Sequence, residues 1–195
     1  MRIKKEIPTI VCLSLVITFI FVAFSFTSHE TEVCVDPTEK IAYLYDTFTI
    51  NVNITDVVNL YSYDIKLYYH TIPVDGLSVD LPPGHFMEPI NNPAKLIILH
   101  KEIDDNYNAT HGRVWVSVRL LTELYDTELT YPCEVRRMRA LSSPGRSGSG
   151  ILFRIAFNCT GAGTSVLDLY ETQLINYEGS SISHVRINGL INVHC

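Results

Sequence analysis

Positive charge is scarce in this sequence of 195 residues, which has 15 Lys and Arg against 21 Asp and Glu. Three of the basic residues and one acidic residue lie within the first 29, which leaves twelve against twenty, a net charge of −8, in the remainder. Nucleic acids and anionic membrane surfaces recruit basic patches, and this part of the chain has too few basic residues to form one. The balance argues against both as partners.

The spacings typical of enzymes and metal sites are also missing. There is no CxxC pair, no HExxH and no glycine motif that would cradle a phosphate, and Gly145–Ser149 lacks the closing glycine of GxSxG. Asp104 and Asp105 form the nearest approach to a calcium site, but a solvated turn is the favoured interpretation. We therefore expect a protein that is not an enzyme and binds no metal or cofactor.

Only one long apolar run occurs, and it lies at the start of the chain. Arg2, Lys4 and Lys5 precede the segment 7–26, which contains no charge. A basic start followed by such a run is typical of an export signal, either cleaved after Ser25 or retained as an anchor helix. Residues 1–29 are thus predicted to be a signal peptide or signal anchor. Residues 30–195 are predicted to lie outside the cytoplasm, secreted or tethered to the membrane by that segment alone.

Cysteines and glycosylation sequons fit an exported chain. Four cysteines follow the signal, at positions Cys34, Cys133, Cys159 and Cys195. An even number favours disulfides in any of three pairings, with free thiols as the alternative. Asn-x-Thr sequons at Asn53, Asn108 and Asn158 predict a glycoprotein.

The strongest structural signal is the stretch Thr47–His70. Apolar residues alternate with polar ones up to Ile54, pause at Thr55-Asp56, and resume from Tyr61 to Tyr69. Successive side chains of a strand point to opposite faces, so this period of two predicts two half-buried strands. They need a partner sheet to bury their apolar faces.

The rest of the chain predicts about nine or ten short strands in an antiparallel β-sandwich. Asn188-Gly189 predicts a hairpin with a type I′ turn. Residues 122–150, with a basic cluster and a Ser- and Gly-rich run, are predicted to form a long loop insertion. The other expected strands are Glu32–Asp36, Leu77–Leu81, Lys95–Glu102, Arg113–Leu121, Ile151–Cys159, Ser165–Tyr170, Gln173–Tyr177 and Leu190–Val193.

Two predicted strands, Tyr61–Tyr69 and Arg113–Leu121, direct aromatic and charged side chains outward. Trp, Tyr and Arg are enriched at interaction hot spots, and a rigid sheet presents them at little entropic cost. A lone outward tryptophan also suits stacking against a sugar ring, whereas a loop over it would make it a packing residue. The predicted binding face comprises Asp64, Lys66, Tyr68, Trp115, Ser117 and Arg119.

Five segments, taken in order, resemble the cohesin domain family, particularly archaeal cohesin-like domains: NLYSYDIKLYYH, GRVWVSVRLL, SGSGILFRIAFNC, LDLYETQLIN and INGLINV. The similarity spans roughly residues 33–193. It implies a nine-stranded jelly-roll β-sandwich whose first and last strands pair. It also implies dockerin-bearing partners, bound through the face named above, in polysaccharide-degrading or cell-surface assemblies.

The four cysteines and the 122–150 insertion depart from the family pattern. Paired end strands would make Cys34–Cys195 one bridge and leave Cys133–Cys159 to tether the insertion. Two other functions stay open at this point. One is a carbohydrate-binding module that recognises polysaccharide, and the other is a structural surface-layer or adhesion domain.

Overall fold

The computed structural model describes residues 30–88, 94–122 and 145–195, and this part of the chain contains ten strands and no helix. The all-β prediction is therefore confirmed for the described residues, which exclude the predicted signal or anchor helix, Cys133 and most of the predicted insertion. No helix that could cross a bilayer occurs among them. The strands are β1 Glu32–Asp36, β2 Glu39–Tyr43, β3 Thr47–His70, β4 Val74–Asp80, β5 Ala94–Asp104, β6 His111–Thr122, β7 Arg146–Cys159, β8 Gly163–Asn176, β9 Val185–Ile187 and β10 Gly189–His194.

The strands form two sheets that share β3. The first half of β3 pairs with β7 on one side and β1 on the other, which gives sheet one the order β4–β7–β3–β1–β9. The second half pairs with β6 and β8, which gives sheet two the order β5–β6–β3–β8–β10–β2. One strand thus connects the two sheets of the sandwich.

The pause in the alternation at Thr55-Asp56 marks the point where β3 passes between the sheets. Asp56 and Asn59 have positive φ values of 51° and 59°, and the pairing with β7 shifts register there. Two serine side chains of β7 accept hydrogen bonds from the backbone of the bend. The N–H of Asp56 donates to the hydroxyl of Ser149, and the N–H of Asn59 donates to the hydroxyl of Ser147, both at 2.9 Å. The sequence located this interruption correctly, but it predicted two strands where the structure has one continuous strand.

The core between the sheets contains most of the side chains that the alternation placed inward. Cys159 is fully buried, as its inward position predicted, whereas Phe48, Tyr61 and Ile151 are only partly buried. Both halves of β3 and the inner sides of both sheets contribute to this core, because each strand buries every second side chain. The predicted residues confirmed as buried are Ile50, Val52, Ile54, Tyr63, Ile65, Leu67, Tyr69, Val114, Val116, Val118, Leu120, Phe153, Ile155, Phe157, Leu167 and Leu169.

Strand β7 begins at Arg146, five residues before the predicted start at Ile151. Residues 146–150, which were predicted to belong to the insertion, pair with the bend of β3. A run of Ser and Gly has no apolar alternation, so its composition predicts a loop. Its backbone N–H and C=O groups are nevertheless able to pair with a strand.

The hairpin predicted at Asn188-Gly189 is wrong. β9 pairs in parallel with β1 in sheet one, whereas β10 pairs with β8 and β2 in sheet two. At Gly189 the chain crosses between the sheets, and a Cβ there would lie 2.5 Å from Cγ1 of Val35. The glycine is required by this close approach and not by a turn.

The two ends of the chain do pair in parallel, but as β1 with β9 and β2 with β10, so the expected pairing of Glu32–Asp36 with the last strand, and the Cys34–Cys195 bridge inferred from it, are wrong. The partners of β1 are β3 and β9, while β10 lies in the other sheet. Cys34, Cys159 and Cys195 carry free thiols, and burial raises the pKa of the first two. The predicted Cys133–Cys159 tether involves a residue outside the described part.

Candidate interaction surface

The six residues of the predicted binding face lie together on the side of sheet two that points away from the core. We call the exposed side of β5, β6, β3 and β8 the outer face. β3 and β6 are neighbours, with Lys66 opposite Trp115 and Asp64 opposite Ser117. Arg119 is exposed, but Ser117 is only 5% exposed and presents almost no surface. Whether these residues bind a partner stays a prediction.

Trp115 is the only tryptophan of the sequence, and it is held in place by its neighbours on the outer face. Its indole N–H donates to both carboxylate oxygens of Asp64, at 3.0 and 3.2 Å. The ring of His100 stacks on it with centroids 3.5 Å apart and planes 13° apart. The Lys66 ammonium lies 5.0 Å from the centre of the indole. His100 therefore covers one face of the indole, and Trp115 as a whole is only partly exposed.

Sequence reasoning missed His100. It looked like one of several scattered histidines, and its alignment with Trp115 depends on a shift of register between β5 and β6 near Ile98. Alternation predicts the face on which a side chain lies, but it does not predict a bulge. Nothing in the sequence marked this position.

Charges of both signs alternate across the outer face. Lys66 pairs with Glu171 of β8, and Arg113 pairs with Glu102 of β5 at 3.1 Å. The Arg119 guanidinium lies over Tyr61, 5.1 Å from its ring centre. Such partly exposed ion pairs add little to stability. A fixed pattern of alternating charge favours the recognition of a partner with the complementary pattern.

One end of the outer face carries a cluster of three tyrosines, Tyr68, Tyr107 and Tyr170, which we call the tyrosine cluster. The ring of Tyr68 lies between the other two, with centroid distances of 5.1 Å to Tyr107 and 5.3 Å to Tyr170. Burial, followed by the hydrogen bond with Tyr107, raises the pKa of Tyr68 to about 12. Only Tyr68 was predicted, because Tyr107 lies in a loop and Tyr170 beside a shift of register in β8.

The turn considered as a weak calcium site has a structural role for one of its carboxylates. Asp105 accepts hydrogen bonds from the hydroxyl of buried Tyr69 and from the backbone N–H of Gly76. In the described part of the chain no group of three or more His, Cys, Asp or Glu side chains could hold a metal ion.

The three sequons occupy different surroundings. Asn53 donates from its side chain to Asp36 at 3.2 Å, and Asn158 is half-buried on β7. Asn108 is exposed in a turn, where its side-chain oxygen accepts the backbone N–H groups of Thr110 and His111. Glycosylation at each position stays a prediction.

No protein-family model and no curated protein matches this chain. The solved structures that it resembles are cohesin domains. A non-cellulosomal cohesin from the hyperthermophilic archaeon Archaeoglobus fulgidus is 15% identical with a TM-score of 0.54, and the match covers 85% of this chain and 92% of the other. The structure of a type I cohesin–dockerin complex from Clostridium thermocellum is 15% identical with a TM-score of 0.55, over 85% of this chain and 94% of the other. The fold is therefore that of cohesin domains, which confirms the resemblance at the level of fold.

Proposed function

We propose that this protein is an extracellular, non-catalytic binding module of cohesin type whose outer face binds a dockerin-bearing partner. The proposed setting is a polysaccharide-degrading or cell-surface assembly. The observation that carries the proposal is the outer face itself, where Trp115 and Arg119 of β6 lie beside Asp64 and Lys66 of β3 in a fold that solved cohesins also have. Solved cohesins with this fold include several in complex with dockerins.

The outer face is built to bind without first reorganising. Trp115 is fixed by Asp64 and His100, and Lys66 and Arg113 are each paired with a carboxylate. Side chains that are ordered before binding lose less conformational entropy when the partner arrives. A standard interface of about 800 Å² per partner would occupy much of such a face.

The non-catalytic and extracellular parts of the proposal are supported by the sequence. Its motifs include no arrangement of nucleophile, base and orienting group, and its first 29 residues have the pattern of an export signal. A purely structural surface-layer or adhesion domain would share both properties. Dockerin binding by the outer face distinguishes a cohesin-type module from such a structural domain.

The test is a pull-down from the secretome of the same organism, followed by calorimetric titration of each recovered dockerin module. Arg119→Glu should weaken binding at least tenfold, equivalent to about 1.4 kcal/mol, because it reverses a charge within the proposed interface. Arg154→Glu is the matched control, since Arg154 is also exposed but belongs to β7 of sheet one. Recovery of no dockerin-bearing protein, or equal weakening by both variants, would contradict the proposal.

A further inference from the structure

An open pocket of about 450 Å³ lies beside the tyrosine cluster. It is lined by the three tyrosines together with His70, His111 and Asp168. Its volume is within the range of roughly 300–1,000 Å³ that is typical of small-ligand sites. The predicted partner-binding residues other than Tyr68 do not line it, so it is a separate feature of the surface.

The aromatic rings of the pocket are accessible to a ligand. Tyr170 is 59% exposed and Tyr107 is 42% exposed, although Tyr68 holds both by ring contacts. A flat ring that is ordered and still reaches solvent offers an apolar face at little entropic cost. The C–H face of a pyranose ring is an apolar surface of matching shape.

Planar polar groups accompany the rings. His70 and His111 are opposite each other on β3 and β6, with ring centroids 4.2 Å apart. Asn188 donates to Oδ1 of Asp168 at 2.8 Å, which orients that carboxylate. Imidazole and carboxylate groups can together donate to and accept from the hydroxyls at the edge of a sugar. A ligand that suits the pocket has one apolar face and a hydroxylated edge.

The charge of the pocket favours a neutral ligand. No Lys or Arg is among the described residues that line it, and Asp168 is its only acidic residue. The nearby Arg113 is already engaged, because its guanidinium pairs with Glu102 and lies 4.7 Å from the centre of the Tyr107 ring. An anionic sugar or a phosphate would meet the carboxylate of Asp168 without a free cation to offset the repulsion.

We propose that this pocket binds a neutral sugar unit of a polysaccharide, in addition to any protein that the outer face binds. The site is distinct from Trp115, the residue that the sequence suggested for sugar stacking. Trp115 is only partly exposed and has one face covered by His100, whereas Tyr107 and Tyr170 are 42% and 59% exposed. The module would then bind a glycan and a protein through different parts of one sheet.

The test uses the full chain, made in a host that adds no N-glycans so that Asn108, which also lines the pocket, stays unmodified. Because the full chain includes the apolar segment 7–26, it is kept in solution with a detergent. The detergent is an amine oxide, which has no sugar head group that could compete with the hexasaccharides for the pocket. The chain is titrated calorimetrically with hexasaccharides of glucose, xylose, mannose and galactose, and with oligogalacturonate as the acidic probe. At least one neutral hexasaccharide should bind, and oligogalacturonate should not.

Tyr107→Ala and Tyr170→Ala should each weaken that binding at least tenfold, whereas Tyr107→Phe and Tyr170→Phe, which keep the rings, should change it less than threefold. Tyr177→Ala is the matched control, because Tyr177 is 46% exposed but contacts Tyr61 outside the pocket. Arg119→Glu should leave sugar binding unchanged, which separates this proposal from dockerin binding. Melting temperatures verify that each variant is folded.

Three outcomes would overturn the proposal. The first is that no neutral hexasaccharide binds, and the second is that oligogalacturonate binds more tightly than any of them. In the third, Trp115→Ala abolishes sugar binding while the folded tyrosine variants retain it, which would place the sugar on the indole.

Discussion

At the scale of single residues, the important side chains are fixed by partners far away in the sequence. Trp115 donates to Asp64, 51 residues earlier, and Tyr69 donates to Asp105, 36 residues later. Asp105 also accepts the N–H of Gly76 and so ties β4 to the loop after β5. Alternation gives the face of a strand on which each residue lies, but these pairs depend on which strands become neighbours.

Asp75 illustrates the electrostatic cost of one such arrangement. Burial, and then the nearby carboxylate of Asp105, raises its pKa above the ordinary value of 3.8. A folded state that raises the pKa of a carboxyl binds that proton more tightly than the unfolded chain does. The stability contributed by protonation is therefore present below pH 3.8 and is lost as the pH rises through the raised pKa, which leaves ionised Asp75 destabilising at neutral pH.

Asp75→Asn should consequently raise the free energy of unfolding at pH 7. The gain should shrink as the pH falls through the raised pKa and should vanish below pH 3.8, where Asp75 is protonated in both states. Urea unfolding at pH 7, 5 and 3.5 measures this dependence. A gain of equal size at all three pH values, or a loss at pH 7, would show that the charge of Asp75 is not the cause.

At the scale of elements, β3 organises the molecule. Its 24 residues belong to both sheets, and the bend at 56–59 is what allows one strand to do so. Around the bend the buried side chains Ile54, Val57, Leu60 and Tyr63 follow at intervals of three instead of two, which extra residues at bulges explain. The sequence showed the interruption, but its meaning as a bend depends on β7, whose serine hydroxyls bond to it.

The bend gives a prediction at Asn59, whose φ of 59° is a conformation that β-branched residues avoid. Asn59→Val should be less stable than Asn59→Gly by about 1–2 kcal/mol, because a Cβ strains the left-handed backbone. Comparing two variants of one position removes whatever the asparagine side chain itself contributes. Urea unfolding of both variants provides the measurement.

Thr49 is the matched control, since it is an exposed residue of the same strand at a position without a register shift. There the order should reverse, with Thr49→Val more stable than Thr49→Gly, because strands favour β-branched residues over glycine. If valine were preferred to glycine at both positions, the strained bend would be refuted.

At the scale of the whole molecule, the ends of the chain follow separate sheets. The first strand lies in sheet one beside β9, and the last lies in sheet two beside β2. Cys34 faces Ile187 and Asn53 across the first sheet, while Cys195 follows His194, which pairs with Tyr43 in the second. Cys34 and Cys195 therefore lie beside different strands in different sheets and are not placed to form a disulfide with each other.

Cys34 and Cys195 should therefore stay unbridged in the folded protein. Alkylation after unfolding without reductant, followed by peptide mapping, should find both residues modified by the alkylating agent. Cys34→Ser/Cys195→Ser should melt at nearly the same temperature as the parent protein, with or without dithiothreitol. A peptide containing both cysteines joined by a disulfide would disprove the arrangement of the end strands.

The sequence by itself determined the fold class, most of the core residues on the alternating strands and the face on which the outward residues lie. All three follow from the period of two, which is a local property of the chain. The motifs also predicted the cohesin fold. The Ser- and Gly-rich start of β7 and the crossing at Gly189 were misread, because a local pattern favours a loop in the one case and a turn in the other.

Only the tertiary structure decided which strands become neighbours, and with them the partners of each side chain. Because β5 pairs with β6, His100 is brought onto Trp115, and because β3 lies between β6 and β8, Tyr107 and Tyr170 are brought onto Tyr68. These contacts join residues of different strands and loops at registers set by bulges. Backbone pairing over the whole chain fixes such registers, and no stretch of sequence read alone contains them.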